Sequence, residues 1–410
     1  MLSALPLLAV ALLSPSTQAP EFALKNGDRV VFYGDSITDN SPYTQLIEMF
    51  VTCRYPRMDV NFMNAGVGGD RVTGGWLGPI DERLTRDLIS RRPNVVTIML
   101  GMNDASYRPF DPKIFETYRN GYAHILDRLK KEAPNARVYL IQPSPFDDFT
   151  RPPTFEGGYN AVLVKYGDAI AEMALANRYG IIDLNTPVAA MLKKAATLDA
   201  PLSQKIIPDR VHPGGSGHLL MMAEILKAWR ASPVVSKTTI DWTTGKAQTE
   251  NATLSDWRGG RFTLLENSLP MPIDRANAEI ALVLRSSDVE ETLNQQMLTV
   301  SNMPAGSYGL KIDGTFVATF THEQLAKGVN LAVLNTPMVQ QAWKVVDMTM
   351  KVISVRFNRW RNFEHGIDGT PQKERDAAIE SIMRLEQRIV IERKKLAQPV
   401  PHVFELVKTQ

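Results

Sequence analysis

RVVFYGDSITDN, residues 29–40, packs Val30, Val31, Phe32 and Tyr33 into one apolar run, stops at Gly34 and then presents Asp35-Ser36. An apolar run with no polar alternation reads as a strand buried on both faces, which is the pattern of a parallel sheet covered by helices. Glycine at the end of such a strand permits a tight turn, and the serine after it stands at the edge of the sheet. On its own this serine reads better as the cap of the next helix.

Working outward, four more segments repeat the pattern between Asp28 and about Ala231. MDVNFMNAG, NVVTIMLG, ARVYLIQPSP and IIDL read as strands. Between and after them, YTQLIEMFVTCRY, IDERLTRDLISRR, FETYRNGYAHILDRLKKEA, NAVLVKYGDAIAEMALANRYG and GSGHLLMMAEILKAWR read as helices. Strands alternating with helices predict an α/β unit over 24–232, a flavodoxin-like three-layer α/β/α arrangement with a parallel sheet. Right-handed crossovers place all strand C-termini on one edge, where ligands bind in such sheets.

Near Ser232-Pro233 the composition turns to Thr, Asn, Gly and Trp in short alternating runs, which predicts a β-rich module over 234–335. Asp313-Gly314 within SYGLKIDGTFVATF predicts a two-residue hairpin turn. Residues 336–398 predict an antiparallel helical hairpin. Its first helix starts at Pro337 after Thr336 as cap, with a seam of Val339, Trp343, Val346, Met350, Ile353, Phe357 and Trp360. Its second opens at Thr370-Pro371 with a stripe of Ala378, Ile382, Leu385, Ile389 and Leu396, and Gly366 and Gly369 fall in the turn. The stripe can dock on the α/β unit or on a second copy of the chain, so a homo-oligomer through the hairpin is one expectation. Residues 399–410 read as a tail.

Composition narrows the function. The chain has 410 residues, 44% hydrophobic and 22% charged, with a formal net charge of +2. So small an excess argues against nucleic acid as a partner, which needs a concentrated basic face. The single cysteine, Cys53, makes no internal disulfide, and no Cys/His cluster has zinc spacing, so no metal site is expected. An apolar role in the core is the expectation for Cys53. The run from Leu2 to Leu13 is too short to span a bilayer and is followed by Thr17 and Ala19 in small-x-small positions. Residues 1–19 therefore read as a signal peptide, and the protein as secreted or periplasmic. No cysteine follows the run and no other run approaches membrane length, so no stable membrane anchor is expected.

Four loop positions carry chemistry. The first is Ser36. The second is NAGVGGD, Asn64–Asp70, whose glycines allow close backbone approach and N–H groups facing an anion. It lacks the dinucleotide G-x-G-x-x-G spacing. The third is LGMND, where the Asn103 amide can donate to a developing oxyanion. The fourth is PDRVHPGGSGH, in which Asp209 can orient the His212 imidazole to take a proton from serine. His218 lies inside the closing helix and reads as structural. His124, His322, His365 and His402 read as surface or packing residues.

Together these blocks, YGDSIT, NAGVGGD, LGMND and DRVHP, resemble the SGNH hydrolases or GDSL esterases, named for Ser, Gly, Asn and His in four blocks. The resemblance covers about Asp28 to Trp229, with Ile37 at the leucine of the GDSL name. It implies Ser36 as nucleophile, Asp209 as orienting acid and His212 as base. It implies an oxyanion hole of Ser36, Gly69 and Asn103, and ester hydrolysis without metal or organic cofactor. The other hydrolase elbow, G-x-S-x-G, is absent.

Arg71 and Trp76 in GGDRVTGGWLG, and Phe146, Phe149, Arg151, Phe155 and Tyr159 in PSPFDDFTRPPTFEGGYN, are candidate substrate contacts, and a structural role, for the second segment a loop with a small core of its own, is at least as good a reading. Aromatic rings beside polar groups suit sugar hydroxyls, so a small-molecule or carbohydrate ester, with acetyl as the acyl group, is the expected substrate. Lysophospholipase and thioesterase activities also occur in the resembling family. A non-catalytic binding or assembly protein with a vestigial hydrolase unit is the reading from another class.

Overall fold

The protein is described here by a computed structural model covering residues 21–365 and 371–409. The expected signal peptide at 1–19, and Gly366, Gly369 and Thr370 of the expected helical turn, lie outside the described residues. Among the described residues no helix is long and apolar enough to cross a membrane.

Strands β1 (Arg29–Gly34), β2 (Asn61–Gly66), β3 (Val95–Met99), β4 (Arg137–Ile141) and β5 (Gly180–Ile182) form one parallel sheet. Its order is β2-β1-β3-β4-β5, the flavodoxin-like order expected. Every residue of β3 is buried, as a central strand covered on both faces requires. Helices α1 (Pro42–Arg54), α2 (Pro112–Glu132), α3 (Tyr159–Asn177), α4 (Asn185–Leu198) and α5 (Gly215–Ala228) flank the sheet. α1 packs on α5, and α2 on α3. Asp111 starts α2 by accepting the Lys113 N–H at 2.9 Å, with Pro112 in the first turn where no amide hydrogen is needed. The chain leaves β1 toward β2 and then returns past β1 to β3. The tips of β1 and β3 are therefore the switch point where a crevice opens.

The second half holds β6 (Val234–Asp241), β7 (Ala247–Glu250), β8 (Ala252–Arg258), β9 (Arg261–Glu266), α6 (Ala278–Ser286), β10 (Gln295–Ser301), β11 (Ser307–Ile312), β12 (Thr315–Thr321) and β13 (Val329–Asn330). The long helices α7 (Pro337–Asn358) and α8 (Gln372–Leu396) and a last strand β14 (His402–Lys408) follow. Asp313 and Gly314 turn β11 into β12 with φ 51° and 77°, the doubly positive geometry of a tight hairpin. Thr336 caps α7 by accepting the Val339 N–H at 3.2 Å.

Three sequence expectations are corrected. Residues 399–410 are no tail, because β14 is the middle strand of the sheet β8-β9-β14-β11-β12. Phe404 pairs with Phe262 of β9, and Leu406 with Leu310 of β11. The strand's partners lie far away in sequence, so nothing local marks it as central. The α7 seam is also shifted in part: Val339, Val346 and Trp360 are buried as expected, but Trp343 and Met350 are 39% and 40% exposed, while Ala342, Val345, Thr349 and Val352 are buried. On α8, Leu385 and Leu396 are exposed and Arg393 is buried. Charge explains part of this, because the docking face is built around Glu48 of α1. Its two carboxylate oxygens take Arg356 of α7 at 2.9 Å and Arg393 of α8 at 2.6 Å. Finally, α6 and the segment around it do not belong to a separate β core. Met271, Leu282, Val283, Val289 and Leu293 join the core of the α/β unit, as do Val346 and Trp360 of the hairpin. Cys53 is buried in the second core, with burial pushing its thiol up to about 12.

Candidate active site

Gly34 ends β1 where no side chain fits: a Cβ there would lie 2.3 Å from Thr38 Oγ1 and 2.8 Å from the Met99 carbonyl. Asp35 then caps the one-turn helix Ser36–Asp39, its Oδ1 accepting the Ile37 N–H at 3.0 Å. Ser36 is the first residue of that turn, so its N–H has no partner within the helix.

His212 arrives from the loop before α5. Its Nε2 lies 2.8 Å from Ser36 Oγ, and its Nδ1 lies 2.6 Å from Asp209 Oδ2. The other carboxylate oxygen of Asp209 accepts the His212 N–H at 2.7 Å and the Val211 N–H at 3.0 Å. Burial opposes ionisation of Asp209, but these hydrogen bonds outweigh it and hold the carboxyl below its usual range. The loop is pinned from below. Arg151 donates to the Pro208 carbonyl at 2.9 Å and the Gln204 carbonyl at 3.1 Å, and Arg210 to the Asp147 carbonyl at 3.0 Å.

Gly69 lies in the loop after β2 and Asn103 in the loop after β3. Gly69 has φ +76°, a conformation that excludes most side chains, and no heavy atom lies within 4 Å of where a Cβ would be. Asn103 is buried, with Nδ2 donating to the Asp70 carbonyl at 3.1 Å and Oδ1 accepting the Tyr107 hydroxyl at 2.9 Å. Tyr107 thereby fixes which way the amide points. Burial pushes its hydroxyl up to about 12, with the Asp35 and Asp209 charges adding to the shift. Burial likewise pushes Asp35 and Asp104 up to about 7.

The expected substrate contacts divide. Trp76 is 69% exposed, but its indole N–H donates to the Gly68 carbonyl at 2.9 Å. Arg71 is exposed. Phe146 and Tyr159 turn inward, stacking with Tyr107, and the Tyr159 hydroxyl donates to the Met102 carbonyl at 2.5 Å. Phe149 and Phe155 pack on the core as partly buried rings. Arg151 is the loop pin described above, and Phe146 and Tyr159 lie buried against each other, the arrangement of the structural-loop reading.

The remaining histidines lie elsewhere. His218 is buried against Tyr43, and burial together with His212 pushes it down to about 3, so it stays neutral. His365 pairs with Asp87 at 2.8 Å, His402 with Asp313 at 2.6 Å, and His124 with Asp81 at 2.8 Å. Among the described residues no group of three or more His, Cys, Asp or Glu could hold a metal ion. Three residues near the site were not singled out from sequence: Tyr107, Asp39 and Arg361. Tyr107 lies four residues after Asn103, and that spacing was the only available signal. Arg361 pairs with Asp39 across 322 positions, with no sequence signal at all.

Residues 32–220 match the model of the GDSL-like lipase/acylhydrolase family. An acetylxylan esterase from Geobacillus stearothermophilus is 24% identical over 224 residues, which are 49% of this chain and 94% of that protein. The structure is similar to that of a gut microbial diltiazem-metabolizing enzyme, with a TM-score of 0.79 and 24% identity over 94% of this chain and 98% of the other. That likeness extends through the second half of the chain. A crystal structure of the acetylxylan esterase Axe2 from Geobacillus stearothermophilus matches over 50% of this chain and 96% of its own, with a TM-score of 0.41 and 20% identity.

Proposed function

Through residues 32–220 the chain belongs to the GDSL-like lipase/acylhydrolase family, and from that premise we propose a serine esterase with Ser36 as nucleophile, His212 as general base and Asp209 as its orienting acid. The observation that carries this reading is the continuous line from Asp209 Oδ2 through the His212 ring to Ser36 Oγ, with contacts of 2.6 and 2.8 Å.

An ester carbonyl docks at the rim between the tips of β1 and β3. Ser36 Oγ attacks the carbonyl carbon while its proton passes to His212 Nε2. Asp209 keeps the other ring nitrogen protonated and stabilises the imidazolium. The tetrahedral oxyanion takes hydrogen bonds from the Ser36 and Gly69 N–H groups and from Asn103 Nδ2. The His212 proton then goes to the leaving alkoxide and the C–O bond breaks, leaving an acyl-serine. Water, deprotonated by His212, resolves it to the free acid. Every step uses groups of this chain alone.

For substrate we propose a short acyl group, acetyl, on a carbohydrate. The acetylxylan esterase relative supports the acyl group and the sugar. The triad lies at an open rim, which suits a large polar leaving group. The apolar run at 2–13 leads us to propose export as well. Nitrophenyl esters of rising acyl length test the acyl reading: rates should be highest for acetyl, and a rise toward long chains would refute it. Ser36→Ala should abolish both hydrolysis and fluorophosphonate labelling.

A further inference from the structure

We propose that Arg361, from the tip of the C-terminal helical hairpin, is a positioning residue for the oxyanion loop, holding the Gly68–Gly69 peptide through Asp39 and Trp76. The inference rests on the assignment of the Gly69 N–H to the oxyanion site.

A donor stabilises a transition-state charge only if it is fixed before the charge develops. Gly69 has no side chain to fix its own backbone, so the neighbouring contacts must do it. The Gly68 N–H donates to Asp39 Oδ2 at 3.0 Å, and the Gly68 carbonyl accepts from the Trp76 indole at 2.9 Å. That carbonyl and the Gly69 N–H belong to one planar trans peptide, so they point in opposite directions. Aiming the carbonyl at Trp76 therefore aims the N–H away from it.

Arg361 touches both holders. Its guanidinium pairs with the second oxygen of Asp39 at 2.5 Å and lies 5.7 Å from the centre of the Trp76 ring. It is itself braced by the rings of Trp360 at 4.8 Å and Phe357 at 5.5 Å. Asp39 sits on the same one-turn helix as Ser36, so one cation links nucleophile turn, oxyanion loop and hairpin. The hairpin tip has a second grip on the same loop. Trp360 donates to Asp87 at 3.3 Å, Asp87 binds Arg83, and Arg83 donates to Asp70 at 2.9 Å and to the Ala65 carbonyl at 2.9 Å. Asp70 directly follows Gly69. This explains why Trp76 is exposed yet committed: its N–H serves the peptide and its ring covers Arg361.

The test measures kcat and KM on nitrophenyl acetate for Arg361→Ala, Arg361→Lys and Trp76→Phe, with Ser36→Ala as reference. Misplacing an oxyanion donor without removing it should lower kcat by roughly 10–100-fold in Arg361→Ala, with KM changed by less than about threefold. Lysine keeps the charge on Asp39 but loses the planar stack, so it should restore activity in part. Trp76→Phe keeps a ring over Arg361 and loses only the N–H; it sits at the surface and should fold normally. Its kcat should fall several-fold with KM unchanged, an effect that a ring serving only to stack on substrate would not show. Wild-type kcat in both Arg361→Ala and Trp76→Phe, with Ser36→Ala inactive, would overturn this inference alone. Activity persisting in Ser36→Ala would overturn the esterase reading beneath it.

Discussion

Replacing Glu48 by Gln should undock the helical hairpin from the α/β unit. Glu48 is buried in α1 and is shared by two buried guanidinium groups, Arg356 and Arg393. Arg356 has a second partner in Glu386 at 2.9 Å and a third in the Phe62 carbonyl at 2.6 Å. With Glu48 neutral, two cations would face one remaining carboxylate, and the new amide NH2 would point a donor at a donor. Breaking a buried pair by removing one partner costs about 3–5 kcal/mol, because the other charge stays buried and uncompensated. Burial opposes ionisation of Glu48, but Arg356 and Arg393 outweigh it and hold the carboxyl below its usual range. For a carboxyl depressed on folding, the stabilisation is complete above the unfolded value of about 4.3 and is lost as pH falls through the folded one. The defect should therefore be fully developed at pH 7. Amide hydrogen exchange is the assay, since it resolves local opening. At about 1.4 kcal/mol per factor of ten, protection in α7 and α8 should fall by roughly 10²- to several 10³-fold while β3 stays protected. Equal protection of α7 and α8 in wild type and Glu48→Gln at pH 7 would refute the reasoning.

Asp35→Asn keeps the cap on Ile37 and removes a carboxyl that burial pushes to about 7. A carboxyl raised on folding contributes stability that is present below about pH 4 and is lost as pH rises through about 7, so the variant should gain in Tm over wild type between pH 5 and pH 8; a pH-independent difference would contradict this. Asn103→Ala removes one oxyanion donor and should lower kcat by about 10²–10³ with little change in unfolding midpoint; near-wild-type turnover would take Asn103 out of the site. Tyr107→Phe leaves the Asn103 amide without its orienting donor and should lower kcat by less than Asn103→Ala does, and a larger loss would point to a direct role for the hydroxyl. Deleting residues 399–410 removes the strand between β9 and β11 and the Phe262–Phe404 stack at 5.1 Å, and should drive the chain out of the soluble fraction; a soluble truncated chain with native circular dichroism would disprove that role.

The α/β unit was legible because its signals are local. Four apolar residues before Gly34, four of the five at Val95–Met99 and the helices between them each announce an element within a dozen residues. The loop after each strand is then confined to one edge by crossover handedness alone. That is why the loops holding Ser36, Gly69 and Asn103 could be expected at one edge, while the individual roles of Ser36, Gly69, Asn103, Asp209 and His212 came from the resemblance of the four blocks to a known family. The hairpin turn at Asp313-Gly314 was legible for the same reason, since φ must be positive at both residues.

What escaped the sequence depends on partners far along the chain. A heptad-like reading of α7 selects Trp343 and Met350 along with Val339 and Val346, yet the buried face is rotated off Trp343 and Met350 and brings Arg356 to Glu48. β14 looks like any short terminal strand until β9 and β11 are seen on either side of it. Arg151, Phe146 and Tyr159 have the composition of a sugar site, and only their neighbours show that they brace a loop and fill a core. Residue types and local spacing marked Ser36 at a strand tip and paired Asp209 with His212, since geometry across a few residues follows from backbone sterics, but the meeting of Ser36 with His212, 176 positions away, is tertiary. The pairing of Arg361 with Asp39 was decided by docking, because the energy of an ion pair depends on where two distant side chains meet and leaves no periodic trace in either segment.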